Sequence, residues 1–115
     1  MTSKKSSKRE NCLMAFLRKG KKGLNSMETA LGVEYFSTCL NTDVSELSNR
    51  FGIKFDKRSE SVPFQGGHTA SFVRYSLASR QEAEKAIELV NHYRRKRNES
   101  KLADFEVAYF IGQLN

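Results

Sequence analysis

Side chains able to do covalent or metal chemistry are few in this sequence and badly spaced for it. His68 and His92 have no cysteine or carboxylate cluster at ligand spacing, and Cys12 and Cys39 match no zinc or redox pattern. The run Lys19-Gly20-Lys21-Lys22-Gly23 lacks the Gly-Lys-Ser/Thr ending and the preceding strand of a phosphate-binding loop. No catalytic residue, metal or cofactor is expected, and the chain does not read as an enzyme. Positive charge is what it holds in quantity. Twenty Lys and Arg face thirteen Asp and Glu, a net charge of +7 in 115 residues. The charge is clustered at both ends, in Lys4, Lys5, Lys8 and Arg9 and in the consecutive Arg94, Arg95, Lys96 and Arg97. Such a surplus suits a polyanion, nucleic acid before others.

The segment that must carry those charges into register runs from Val33 to Leu77. Val33, Phe36, Leu40, Val44, Leu47 and Phe51 recur in steps of three and four, which makes one apolar stripe on a helix. Gly52 suits the positive φ of a helix C-cap. Nothing between Val33 and Phe51 breaks a helix outright, so a single continuous helix fits. A turn near Ser37-Thr38 or Asn41-Thr42 fits as well, and Thr42 ahead of Asp43 and Glu46 favours it, because acids suit a first turn. The preferred helix covers 38–51. Alternation then replaces helical spacing, with Ile53 and Phe55 opposed to Lys54 and Asp56. After a loop over 59–68, Thr69 to Leu77 returns as a strand with Val73, Tyr75 and Leu77 on one face. Gly66-Gly67 serves the reversal, and Phe64 beside Pro63 either inserts into a partner or folds back on the hairpin.

Four stretches flank this segment. Residues 1–9 form a basic arm with too little apolar content to fold. Leu13, Phe16 and Leu17 predict a first helix over 10–19. Leu24 is a single-residue sheet edge, and Asn25 with Glu28 makes a capping box for a short helix that buries Met27, Ala30 and Leu31 and stops at Gly32. Ser79 with Glu82 makes another box for a helix over 80–97, whose stripe is Ala83, Ala86, Ile87, Val90 and Tyr93. Beyond 99 the chain is apolar again, and Leu102 to Leu114 fits helix and strand equally. No window approaches a membrane span and no secretory leader is visible. Reduced cysteines then point to a cytoplasmic chain without a membrane partner.

The stretch from Leu24 to Leu77 resembles the small winged helix-turn-helix proteins of bacterial prophages and mobile elements. Asn25-Ser26-Met27-Glu28-Thr29-Ala30-Leu31-Gly32-Val33, Leu40 to Leu47 with Phe51-Gly52-Ile53-Lys54-Phe55, and Phe72 to Leu77 carry the likeness. It implies an α+β, mostly helical fold: a winged helix-turn-helix domain over 10–78, an added C-terminal helix over 79–98 and a terminal apolar segment over 99–115. It also implies double-stranded DNA as partner, in the gene control or maintenance of a phage or mobile element within the bacterial cell or infected host. Thr42, Ser45, Glu46 and Asn49 then meet base edges, Asn49 suiting adenine and Glu46 a cytosine amino group. Phosphates fall to Lys21, Lys22, Arg50, Lys54, Lys57, Arg58, Arg94, Arg95, Lys96 and Arg97. The chain departs from relatives in the acids Asp43 and Glu46 on the reading helix. That departure keeps a rival alive, a winged-helix scaffold that inhibits a host enzyme or defence complex. Leu102, Phe105 and Tyr109 are the expected self-association surface of a homodimer, the alternative being a terminal element that completes a monomeric core.

Overall fold

The computed structural model of the chain describes residues 5–32, 34–63 and 65–114. Residues 1–4 of the basic arm, Val33 of the apolar stripe and Phe64 of the hairpin lie outside the described residues. Ser7 accepts a bond from the Glu10 amide (3.2 Å) and so caps helix α1, Lys8–Lys19. This corrects the expected arm, because Lys8 and Arg9 are helical. Cys12, Leu13, Ala15, Phe16 and Leu17 of α1 are at most 1% exposed, which makes this helix the centre of the core.

A turn over Gly20–Lys22 leads into strand β1, Leu24–Asn25, which pairs antiparallel with the strand ending at Leu77. Gly23 is required here: φ is +66°, and a Cβ would stand 1.9 Å from the Tyr75 carbonyl oxygen. The Asn25–Glu28 capping box forms as expected, with both reciprocal bonds present, and starts helix α2, Ser26–Ala30. Its buried residue is Thr29, however, while Leu31 is 73% exposed. The helix stops at Ala30, so Leu31 falls past its end, and Met27 and Ala30 do not form a buried face.

Helix α3 covers Leu40–Phe51, the version with a preceding turn. Glu34 has a φ of +63°, and Ser37 and Tyr35 hand their hydroxyls to Asp43, so the chain before Leu40 is folded back rather than helical. Phe36 therefore leaves the apolar stripe and is 64% exposed. Gly52 takes the left-handed C-cap. Strands β2, Phe55–Pro63, and β3, Thr69–Leu77, then pair through an unbroken register from Phe55↔Leu77 to Pro63↔Thr69. The ladder extends β2 well into the expected loop and shortens the reversal to a turn over Gln65–Gly67. Sheet order is β1-β3-β2. Helix α4, Arg80–Lys96, buries Ala83, Ala86, Ile87 and Val90. Ser79 precedes it without a side-chain cap bond, and Glu82 instead accepts from the Lys54 amide (2.7 Å), fastening the hairpin to α4. The terminal apolar segment is a helix, α5, Asp104–Gly112, with Leu102, Phe110 and Leu114 in the core. The result is an α+β fold of five α-helices and one small antiparallel sheet among the described residues, compatible with a winged helix.

Arg74 of β3 locks β1, α2 and β2 together. Its guanidinium bonds Glu60 (3.0 Å), Glu28 (3.0 Å) and the carbonyls of Lys22 and Gly23, and Asn25 gives a further bond to Glu60 (2.6 Å). The bond from Arg74 holds Glu60 below the usual carboxylate range. At Glu28 burial works the other way, yet the bonds from Arg74 and from the Asn25 amide prevail and lower it too. The Lys54 amide lowers Glu82.

Gly23→Ala should destabilise the fold by about 3 kcal/mol or more, since it combines a forbidden φ with a backbone clash, and a denaturant melt reads it. Acid should also unfold the chain in a defined direction. Glu28, Glu60 and Glu82 are depressed in the folded state, so their stabilisation is complete above the ordinary value of 4.5 and is lost as pH falls through their lowered folded values. Thermal melts from neutral pH downward should show Glu60→Gln flattening that loss.

Candidate nucleic-acid interface

Helix α3 divides its surface into two flanks. Its buried stripe is Leu40, Val44 and Leu47. Thr42, Ser45 and Asn49 are exposed on the opposite side, without an acid among them. Between α3 and β2 lies a groove of about 340 Å³ lined by Ser45, Ser48 and Asn49 on one wall and Lys54 and Lys57 on the other. Residues read as base contacts and residues read as phosphate contacts thus share one groove. The chemistry available there is hydrogen bonding from neutral side chains beside two ammonium groups that form no ion pair.

Glu46, expected as a base contact, has its carboxylate engaged within the fold. It forms ion pairs with Arg9 of α1 and with Arg50 one helical turn on. Arg9 is itself held from two further sides, over the Phe51 ring at 5.1 Å and by a bond to the Tyr93 hydroxyl at 3.3 Å. Asp43 turns the same way. It accepts from Tyr35 (3.0 Å) and Ser37 (2.7 Å) and faces Lys8 at 3.7 Å. A cavity of about 260 Å³ sits among these groups, with Cys12 and Tyr35 in its wall. Burial and then the Asp43 carboxylate push the Cys12 thiol up to about 12, and burial first of all raises the Tyr35 hydroxyl. A thiol held protonated at neutral pH is a packing group and a poor nucleophile.

The cations separate as clearly. Lys21, Lys22, Lys54, Lys57, Arg58, Arg95 and Lys96 are exposed. Arg50 is exposed too but already paired with Glu46. Arg94 is half-buried and donates to the Ser100 carbonyl. Arg97 is a correction: its side chain is 15% exposed and makes two bonds to Glu10 (2.9 and 2.6 Å), itself 2% exposed. That bond holds the Arg97 guanidinium above its ordinary value, so this residue is a core ion pair and not a phosphate contact. Among the self-association residues, Leu102 is 2% exposed and structural, whereas Phe105 (78%) and Tyr109 (63%) stand in solvent one turn apart on α5.

Compared with known protein families, curated proteins and solved structures, the chain matches none of them.

Sequence reasoning missed Lys8 and Arg9 as partners of α3. One signal was available: Ser7-Lys8-Arg9-Glu10 ahead of an apolar run is itself a Ser-x-x-Glu helix start. It would have put both cations on the first turn of α1, although not against α3.

Two kinds of arginine and lysine should therefore behave differently. Arg97→Ala should cost about 3–5 kcal/mol of stability, because it leaves Glu10 buried without its partner. Arg95→Ala and Lys96→Ala should leave the melt unchanged, and each should lower the log–log salt slope of duplex binding by about 0.9 where it meets a phosphate. Thermal denaturation and a salt-dependent gel shift separate the two.

Proposed function

We propose that this chain is a DNA-binding protein of the winged helix-turn-helix kind, a regulator in a phage or mobile element. It reads duplex DNA with α3 in the major groove and with the β2–β3 hairpin as the wing. One observation carries the reading. Ser45 and Asn49 of α3 line the groove that Lys54 and Lys57 also line, with Thr42 exposed on the same helix, while the acids Asp43 and Glu46 pair with cations of α1. The objection raised by Asp43 and Glu46 thereby loses its force, since both carboxylates are answered inside the molecule. The element order and the β1-β3-β2 sheet support the same fold. Asn49 offers the donor–acceptor pair that adenine requires, Ser45 and Thr42 serve either base type, and phosphates fall to Lys54, Lys57, Arg58, Lys21, Lys22, Arg95 and Lys96.

The rival reading, inhibition of a host protein, draws on one observation of its own. Leu31 and Phe36, 73% and 64% exposed, flank the entry to α3, and exposed apolar groups suit a protein partner better than a phosphate backbone. Self-association forms part of the DNA reading through Phe105 and Tyr109. Two aromatics supply about 300–500 Å² per copy, well under the ~800 Å² per partner of a stable interface, so the dimer is weak and depends on adjacent half-sites.

Asn49→Ala should cost about 1–3 kcal/mol on a preferred site selected from random duplexes and little on bulk DNA. Glu46→Gln should tighten non-specific binding by releasing Arg9 and Arg50 to face phosphate. A wild-type chain that shifts no duplex at low salt, yet captures a host protein in a manner lost with Phe36→Ser, would replace the DNA reading with its rival.

A further inference from the structure

Helix α5 turns to solvent a stripe that holds no charge. Phe105, Ala108, Tyr109 and Gly112 are all exposed, and their helical spacing sets them along one face. Phe105 is 78% and Tyr109 63% exposed. Gly112 has no duty inside the fold. Its φ is not positive, and a Cβ there would meet nothing within 4 Å among the described residues, so neither a turn nor an internal close approach requires glycine. An exposed helical glycine without such a reason only weakens its helix, unless another chain comes close to it. We propose that α5 pairs antiparallel with α5 of a second copy of this chain, Phe105 of each copy resting on Gly112 of the other and Tyr109 on Ala108.

The pairing follows from the spacing. A two-fold axis midway between Ala108 and Tyr109 sets these two opposite each other across the contact, and it sets Phe105 opposite Gly112. Each aromatic then meets a small residue, in both directions at once. A parallel contact sets Phe105 against Phe105 and Gly112 against Gly112, so rings crowd one end and a void is left at the other. Charge favours the antiparallel choice too. The same axis carries Asp104, exposed and without an ion pair among the described residues, to Gln113 of the second copy. Gln113 packs on the turn after α1, where a Cβ on Gly20 would stand 2.8 Å from its own Cβ. Lys21 follows Gly20 and shares with Lys57 and Leu114 the wall of a cavity of about 330 Å³. Each Asp104 thus comes to the Lys21 end of the other copy, a rim contact that orients the pair more than it tightens it. Area sets the strength. A symmetric contact uses the patch twice and buries about 600–1,000 Å² in total, which suits weak, concentration-dependent association. On the DNA reading, and resting on it, a two-fold pair presents its α3 helices in opposite senses, so the site it reads is an inverted repeat.

The pairing is tested first without DNA. In sedimentation equilibrium the full-length wild type should pass from monomer to dimer as its concentration rises to about 1 mM. Phe105→Ala and Gly112→Leu should each weaken the dimer about tenfold or more. Neither should lower the melting temperature of the monomer, since Phe105 stands in solvent and the substituted side chain at Gly112 enters open space. The double variant, F105A with G112L, should regain the dimer, because large and small residues have only changed sides. A monomer at every concentration, a dimer indifferent to Gly112→Leu, or a double variant no better than the single ones overturns the antiparallel contact. Selection from random duplexes then tests the consequence: wild type should recover sites with dyad symmetry, and Gly112→Leu single half-sites. Direct repeats recovered by a dimer overturn the two-fold. A dimer that shifts no duplex leaves the pairing standing and removes the DNA reading, and duplex binding by a strictly monomeric chain does the reverse.

Discussion

The buried ion pair between Glu10 and Arg97 is the contact on which the geometry of α3 depends. Glu10 has almost no solvent to fall back on, so its carboxylate must meet the Arg97 guanidinium, and meeting fixes the first turn of α1 against the end of α4. The residues on either side of Glu10 inherit that placement. Arg9 is then directed to Glu46, Phe51 and Tyr93, and the chain before it sets Lys8 opposite Asp43. A pair of this kind gains little net stability over a hydrophobic equivalent. Its use here is directional: only one rotation of α1 satisfies Glu10 and also brings its neighbours to α3.

This arrangement changes what the acids on α3 mean. In sequence, Asp43 and Glu46 look like two negative charges on a surface meant for an anion. In the fold they occupy the flank that faces α1, and their fields close on Lys8, Arg9 and Arg50 over distances shorter than the Debye length. The solvent face keeps hydroxyl and amide groups. A neutral polar face next to separate cations is better suited to discriminating ligands than a uniformly basic one, since charge attracts every polyanion alike while directional hydrogen bonds do not.

Legibility followed the range of the forces involved. Local rules read well: the Asn25–Glu28 capping box, the Gly52 C-cap, the strand over Thr69–Leu77 and the helix from Arg80 are all set by residues a few positions apart. The same rules failed where a distant partner outbid them. Glu82 had the spacing for a reciprocal cap with Ser79 but went to the Lys54 amide, and Arg97 had the look of a solvated cation until Glu10 claimed it. Apolar spacing misplaced Leu31 and Phe36, because α2 already stops at Ala30, ahead of Leu31, and the positive φ at Glu34 breaks the stripe before Phe36. The segment after Leu102 was undecidable for a related reason: its alternation and its helical steps coincide, and only the core it meets selects Phe110 and Leu114. Of the candidate site, residue types were readable on α3 and on the hairpin. Which flank each side chain occupied was not, since that is a property of the α1 packing.

The distribution of charge that results has its own logic. Acids are drawn into internal contacts: Glu10, Glu28, Asp43, Glu46, Glu60 and Glu82 all meet cations within the fold. Among the described residues, Lys21, Lys22, Lys54, Lys57, Arg58, Arg95 and Lys96 form no ion pair, and they gather in two zones. One runs from the turn after α1 along β2, and the other lies at the end of α4. Lys57 lines both cavities of the first zone, and its ammonium stands 6.0 Å from the Tyr75 ring. A net charge of +7 spread evenly would give a diffuse attraction with no preferred orientation. Segregated in this way, with the acids spent on holding α1, α3 and the sheet together, the same charge would give the proposed DNA partner a defined track beside the neutral face of α3. The acids that fix the fold and the cations left outside it are two consequences of one packing arrangement.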